Sequence, residues 1–158
     1  MAHPIPQDQR SITPHLVIKG AAEAIEFYKK AFGAKEVSRM PFPGPDGEVR
    51  IGHAALIIGD SNLFLADEFP EHGITGPSGY SPVTIHLYVT DVDTTFAQAV
   101  EAGAKVVMPL NNMFWGDRYG KLVDPFGHQW SLAEHLEDLT PEQMMERMAK
   151  EMPGSDCQ

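Results

Sequence analysis

The chain has 158 residues, 42% of them hydrophobic, which suits one domain with a core or two small fused modules. With 22 acidic against 12 basic residues the formal net charge is -10, and no basic stripe interrupts the sequence, so nucleic acid is not an expected partner. No run of about 18 consecutive apolar residues occurs, so no membrane span is expected. The single cysteine, Cys157, allows no internal disulfide. The first residues lack the charged and apolar regions of a signal peptide. A reducing cytoplasm is the expected compartment.

Residues 1–10 are polar and proline-containing and read as a loose arm. Residues 11–19 predict a strand ending at Gly20. Ala21, Ile25, Tyr28 and Phe32 recur at helical spacing, with Gly33 placed as a C-cap. Residues 35–41 predict a second strand, and Pro43, Gly44, Pro45, Asp46 and Gly47 compose a turn. Residues 49–58 and 62–67 then form a hairpin around Gly59-Asp60. Residues 68–82, with three glycines and three prolines, read as a linker.

Beyond the linker the order repeats. Residues 83–90 predict a strand, and Val92, Phe96, Ala99 and Val100 form a helical stripe closed by Gly103. Residues 104–109 predict a strand, 111–115 a loop, 118–123 a strand, Asp124-Pro125-Phe126-Gly127 a tight turn, and 128–135 the last strand. Thr140-Pro141-Glu142-Gln143 is a capping box with proline at the first helical position. The helix it opens carries an apolar stripe of Met144, Met145, Met148 and Met152, suited to packing on the domain or on a second subunit, with a methionine-lined ligand groove as the other reading.

The two halves also match residue by residue: Thr13 with Thr84, His15 with His86, Leu16 with Leu87, and Gly33-Ala34 with Gly103-Ala104. The expectation is an α+β domain of two βαβββ modules, residues 11–67 and 83–136, followed by a helix over about 140–152. Two copies are too few for a solenoid and suit half-domains that share a core or a cleft.

Two motifs carry a family resemblance: Ile25-Glu26-Phe27-Tyr28-Lys29-Lys30-Ala31-Phe32-Gly33-Ala34 and Asp124-Pro125-Phe126-Gly127-His128-Gln129-Trp130. With the tandem modules, they resemble the vicinal oxygen chelate superfamily, which includes glyoxalase I, extradiol dioxygenases, and fosfomycin and bleomycin resistance proteins. Within it the chain is similar to PhnB-like, glyoxalase/bleomycin-resistance-like bacterial proteins. The resemblance implies two curved mixed sheets forming a shared cleft for ligand and metal, and a homodimer. It places the family's metal ligands at Thr13, Phe64, Thr84 and Ser131 of this chain. None is histidine or carboxylate, and hydroxyls with a phenyl ring do not hold a divalent transition metal. No cofactor is therefore predicted.

His15 and His86 lie two residues beyond Thr13 and Thr84, on the same strand face, so both should point into the cleft. They admit a displaced divalent metal if Glu68 or His135 supplies a third group; otherwise they hydrogen-bond a ligand, or simply pack. Phe114 and Trp115 could stack on a flat ligand and Arg118 could meet an anionic group on it; alternatively the aromatics close the barrel end and Arg118 pairs with a carboxylate. His53 is a further candidate whose face the sequence leaves open, and His128 and His72 read as hairpin or surface residues. No GxGxxG follows a strand and no GxSxG appears.

The leading expectation is metal-independent binding of a small, partly aromatic molecule. The other class is an enzyme, a metal-dependent lyase, isomerase or dioxygenase of glyoxalase type using His15 and His86. Catalytic residues are not assignable from the sequence.

Overall fold

The computed structural model describes residues 2–151; Met152 and Cys157, singled out above, lie outside them. The first module runs β1 (His15–Ile18), α1 (Ala21–Phe32), β2 (Lys35–Pro43), β3 (Val49–Ile58) and β4 (Ser61–Asp67). The second runs β5 (Thr84–Tyr88), α2 (Val92–Glu101), β6 (Lys105–Asn112), β7 (Asp117–Val123) and β8 (Gln129–His135), and α3 (Pro141–Glu151) ends the described chain. Each module makes one mixed four-stranded sheet, ordered β1-β4-β3-β2 and β5-β8-β7-β6. The first strand of each module lies parallel to its last, and the other pairs are antiparallel.

β1 begins at His15 rather than residue 11. Pro14 has no amide hydrogen to donate, although its carbonyl still accepts from the Phe64 amide. The expected loose arm is tied down in part, because Asn62 donates its side-chain amide to the Asp8 carbonyl at 2.9 Å.

α1 opens at Gly20, whose φ of 94° is left-handed and suits glycine. Gly20 offers no capping side chain. Asp67, at the end of β4, instead accepts from the Gly20 and Ala21 amides, and its other oxygen accepts from Ile51. The second module repeats the device: Glu134, near the end of β8, accepts from the Val92 amide. A carboxylate at a helix N-terminus also complements its dipole.

Both helices cover the same side of their sheets and pack on each other. One hydrophobic cluster runs through both modules, from Ile18, Ile25 and Leu56 to Phe96, Leu122 and Leu132. Trp130 of β8 is fully buried against Phe32 and Tyr28 of α1, with ring centroids 4.6 and 5.4 Å away. The two motifs of the resemblance meet at this point. Tyr28 donates its hydroxyl to Asp124 at 2.6 Å, and Trp130 donates its indole N–H to the same oxygen at 2.9 Å. Burial, followed by the adjacent Asp124 charge, pushes the Tyr28 phenol well above its ordinary pKa.

α3 is capped reciprocally as expected, Gln143 N to Thr140 Oγ1 and Thr140 N to Gln143 Oε1. No residue of α3 is buried, however, so its methionines do not reach the core. Its Arg147 reaches Glu137, and Met145 and Met148 are exposed.

Candidate functional site

Strand alternation gives each sheet two faces. Leu16 and Ile18 of β1, Leu63 and Leu65 of β4, Leu122 of β7, and Trp130 and Leu132 of β8 join the core beneath the helices. Their neighbours point the other way, putting His15, His53 and Phe64 on the open face of the first sheet. The open face of the second carries His86, Tyr88 and Tyr119, with Ser131 buried beneath them on the same side.

β1 and β5 are edge strands of their sheets, and the two faces adjoin there. Ile12, Pro14 and His15 on one side and Val83, Thr84 and His86 on the other line a groove of about 590 Å³. That volume is in the range of small-molecule sites. His15 and His86, equivalent in the repeat, therefore line one groove, and neither ring turns toward the helices.

In the first module His15 meets His53 edge-on at 5.8 Å, and His53 meets Phe64 at 4.9 Å. Partial burial first, and the neighbouring His53 second, hold the His15 imidazole below its ordinary pKa. Phe64 pairs in register with His15, so a phenyl ring fills a position where the family resemblance places a metal ligand. Thr13, half-buried, precedes β1.

In the second module the register partner of His86 is Ser131, whose hydroxyl lies 2.7 Å from Nδ1 and fixes the ring. Tyr88 meets His86 edge-on at 4.6 Å, Tyr119 stacks beside it at 5.9 Å, and Trp115 packs on Tyr119 at 5.5 Å. Phe114 packs edge-on against Trp115.

Asp117 underlies this group, and its carboxylate is buried. Tyr88 and Trp115 donate to one oxygen, and His135 Nδ1 lies 2.7 Å from the other. Burial pushes Asp117 upward, but these hydrogen bonds outweigh it and hold the carboxyl below its ordinary pKa. Bonds to Asp138, then Asp117, raise His135. The bond to Asp117, followed by burial, raises Tyr88.

Arg118 does not face the groove. It lies one residue out of step with Tyr119, and its guanidinium grips Asp93 of α2 at 2.7 and 2.8 Å. Glu68 accepts the Gly76 amide at 2.8 Å through one carboxylate oxygen and holds the linker, and among the described residues it gathers with no histidine pair as a metal site. His128 Nε2 lies 3.0 Å from the Val17 carbonyl and joins the second module to β1. Tyr88, Tyr119, Asp117 and Lys121 carry the open face with the expected residues, and the sequence reading did not single them out. Alternation with buried Leu122 is the signal that places Tyr119 and Lys121.

A divalent metal does not fit these residues. Among the described residues no three His, Cys, Asp or Glu side chains gather as a metal site. His15 and His86 bring imidazoles without a carboxylate, short of the set that holds iron. Nickel, zinc and iron are expected to bind weakly in calorimetric titration. A tight stoichiometric site lost in His15→Ala would overturn that.

Residues 11–132 match the Glyoxalase/Bleomycin resistance protein/Dioxygenase superfamily. The chain is 45% identical over 149 residues to Mb0911c of Mycobacterium bovis, covering 91% of this chain and 95% of that one. It is 34% identical over 125 residues to At5g48480 of Arabidopsis thaliana, covering 76% and 75%. Among solved structures it resembles PA1353 of Pseudomonas aeruginosa at TM-score 0.67, with 26% identity and 82% and 100% coverage. It also resembles TioX of Micromonospora sp. ML1 at TM-score 0.62, with 26% identity and 80% and 99% coverage. The chain therefore belongs to the glyoxalase/bleomycin resistance protein/dioxygenase superfamily.

Proposed function

We propose that the groove and the adjoining open face bind a small, partly aromatic molecule without a metal. The observation that supports this most is the connected series Trp115, Tyr119, His86 and Tyr88, which offers ring faces and edges beside the groove. Such surfaces suit offset or edge-on contact with a flat ligand. His15 and Thr84 add hydrogen-bonding groups, Ser131 orients the His86 ring from its buried position, and Phe64 and Phe114 add apolar area. The alternative, a lyase, isomerase or dioxygenase with metal at His15 and His86, needs a third donor; Glu68 accepts the Gly76 amide, and His135 is held between Asp117 and Asp138.

The working form we propose is a cytoplasmic homodimer. Val37, Met40 and Phe42 of β2, Val106, Val107 and Met108 of β6, and Met145 and Met148 of α3 are apolar residues exposed in the single chain.

Mass spectrometry of small molecules that co-purify with the protein identifies the ligand. Binding should then change tryptophan fluorescence, and Trp115→Ala should weaken affinity by about 1–3 kcal/mol, the scale of one aromatic stacking contact. Affinity unchanged in that variant would return Trp115 to a structural role.

A further inference from the structure

We infer that the aromatic ligand carries an oxyanion, a carboxylate or a phosphate-type group, and that Lys121 receives it in line with Ser131 and His86. The inference rests on the proposed binding role and deepens it.

Lys121 differs from the other basic residues of the chain. Lys29, Arg50, Arg118 and Arg147 are also half-buried, and each is paired with a carboxylate. Among the described residues Lys121 is the half-buried basic residue with no carboxylate partner. Its stem is covered while its ammonium has no carboxylate to meet, so an arriving anion finds a free charged donor for a charge-assisted hydrogen bond.

Its position supports the same conclusion. Gly120 and Leu122 lie on the helix side, where a Cβ on Gly120 would strike Phe96, so Lys121 points to the open face with Tyr119. In register it is opposite Ser131, and Ser131 is opposite His86. Lysine, serine and histidine therefore form one row across β7, β8 and β5, beside the Tyr88 and Tyr119 rings. If Ser131 donates to Nδ1, the remaining His86 N–H is a further donor to an anion. The carboxylate near this face, Asp117, is occupied by three donors and does not compete for the ammonium.

The net charge of -10 opposes an incoming anion. Salt screens charges beyond about 8–10 Å, so the adjacent ammonium outweighs distant carboxylates.

Equilibrium dialysis with 1-naphthoate and its neutral analogue 1-naphthamide tests the inference on the full chain. Naphthoate should bind about tenfold more tightly than naphthamide, the scale of one charge-assisted hydrogen bond. Lys121→Met should weaken naphthoate binding until the preference over naphthamide is lost, while Lys121→Arg should retain the preference. Equal binding of both probes to the wild type, or a preference that survives Lys121→Met, overturns the oxyanion subsite and leaves the aromatic-binding role standing. Failure of both probes to bind overturns the two readings together.

Discussion

Asp124→Ala is expected to cost about 3–5 kcal/mol of stability, because four neutral donors lose their charged acceptor at about 1–3 kcal/mol each while relief of the buried carboxylate offsets part of the loss. The carboxylate is buried and accepts four hydrogen bonds: from Tyr28 and Trp130 on one oxygen, and from the Phe126 and His128 amides on the other. Alanine leaves these donors without an acceptor in a place water does not readily enter. Tyr28 and Trp130 are both fully buried. The loss also crosses the module boundary, because Tyr28 belongs to α1 and Asp124 follows β7. Urea unfolding should therefore show a lower midpoint, and a reduced slope would report that the modules no longer unfold together. Tyr28→Phe is the milder companion: it removes one bond to a charged acceptor and keeps the ring, so about 1.5–3 kcal/mol is expected. A loss under about 1 kcal/mol in Asp124→Ala would mean the donors find other partners, contrary to the burial argument.

The sequence carried the architecture because the architecture is written twice. The repeat of Thr13-x-His15 at Thr84-x-His86 and the glycine closing each helical stripe give two modules with the same element order. Strand ends were less legible. β6 extends to Asn112, beyond its proline, because pairing with β7 continues through an irregular register between Met108 and Asn111. The roles of Asp67 and Glu134 were hidden as well, since each closes a helix more than forty residues away in the chain, through side-chain bonds that no local pattern signals.

The candidate site was half legible. Period two placed His15 and His86 on one face, and the groove they line follows from it. The same rule, applied to β7, separates Arg118 from Tyr119 and Lys121. Grouping Arg118 with Phe114 and Trp115 as ligand contacts passed over that alternation, although Arg118 already falls in the expected strand. Residues joined only by side-chain contact, such as Tyr88, Trp115 and His135 on Asp117, lie on different strands and loops and leave no spacing to read.

Asp117→Ala should act more on binding than on stability. Asp117 also loses three donors, but they are better placed to find water than those around Asp124. Tyr88 is 59% exposed and the His135 side chain 52% exposed, so the stability loss should be about 1–2 kcal/mol. Trp115 is the donor this changes most, because its indole N–H is anchored by Asp117 beside the ring series. Freed, the indole must be ordered by the ligand, and affinity for 1-naphthoate should fall by about tenfold or more as that preorganisation is lost. The pH dependence supplies a second readout. His135 is raised in the folded protein by Asp138 and then Asp117. Its contribution is therefore full below the unfolded value of about 6.5 and fades as pH rises through the folded value. His15 is lowered, so it disfavours the folded state as pH falls, but the substitution does not touch it and its effect cancels between the two proteins. The wild-type advantage over Asp117→Ala should thus be larger at pH 5 than at pH 8. A melting-temperature gap that is the same at both values, together with unchanged naphthoate affinity, would show that Asp117 neither holds His135 nor organises the aromatic face.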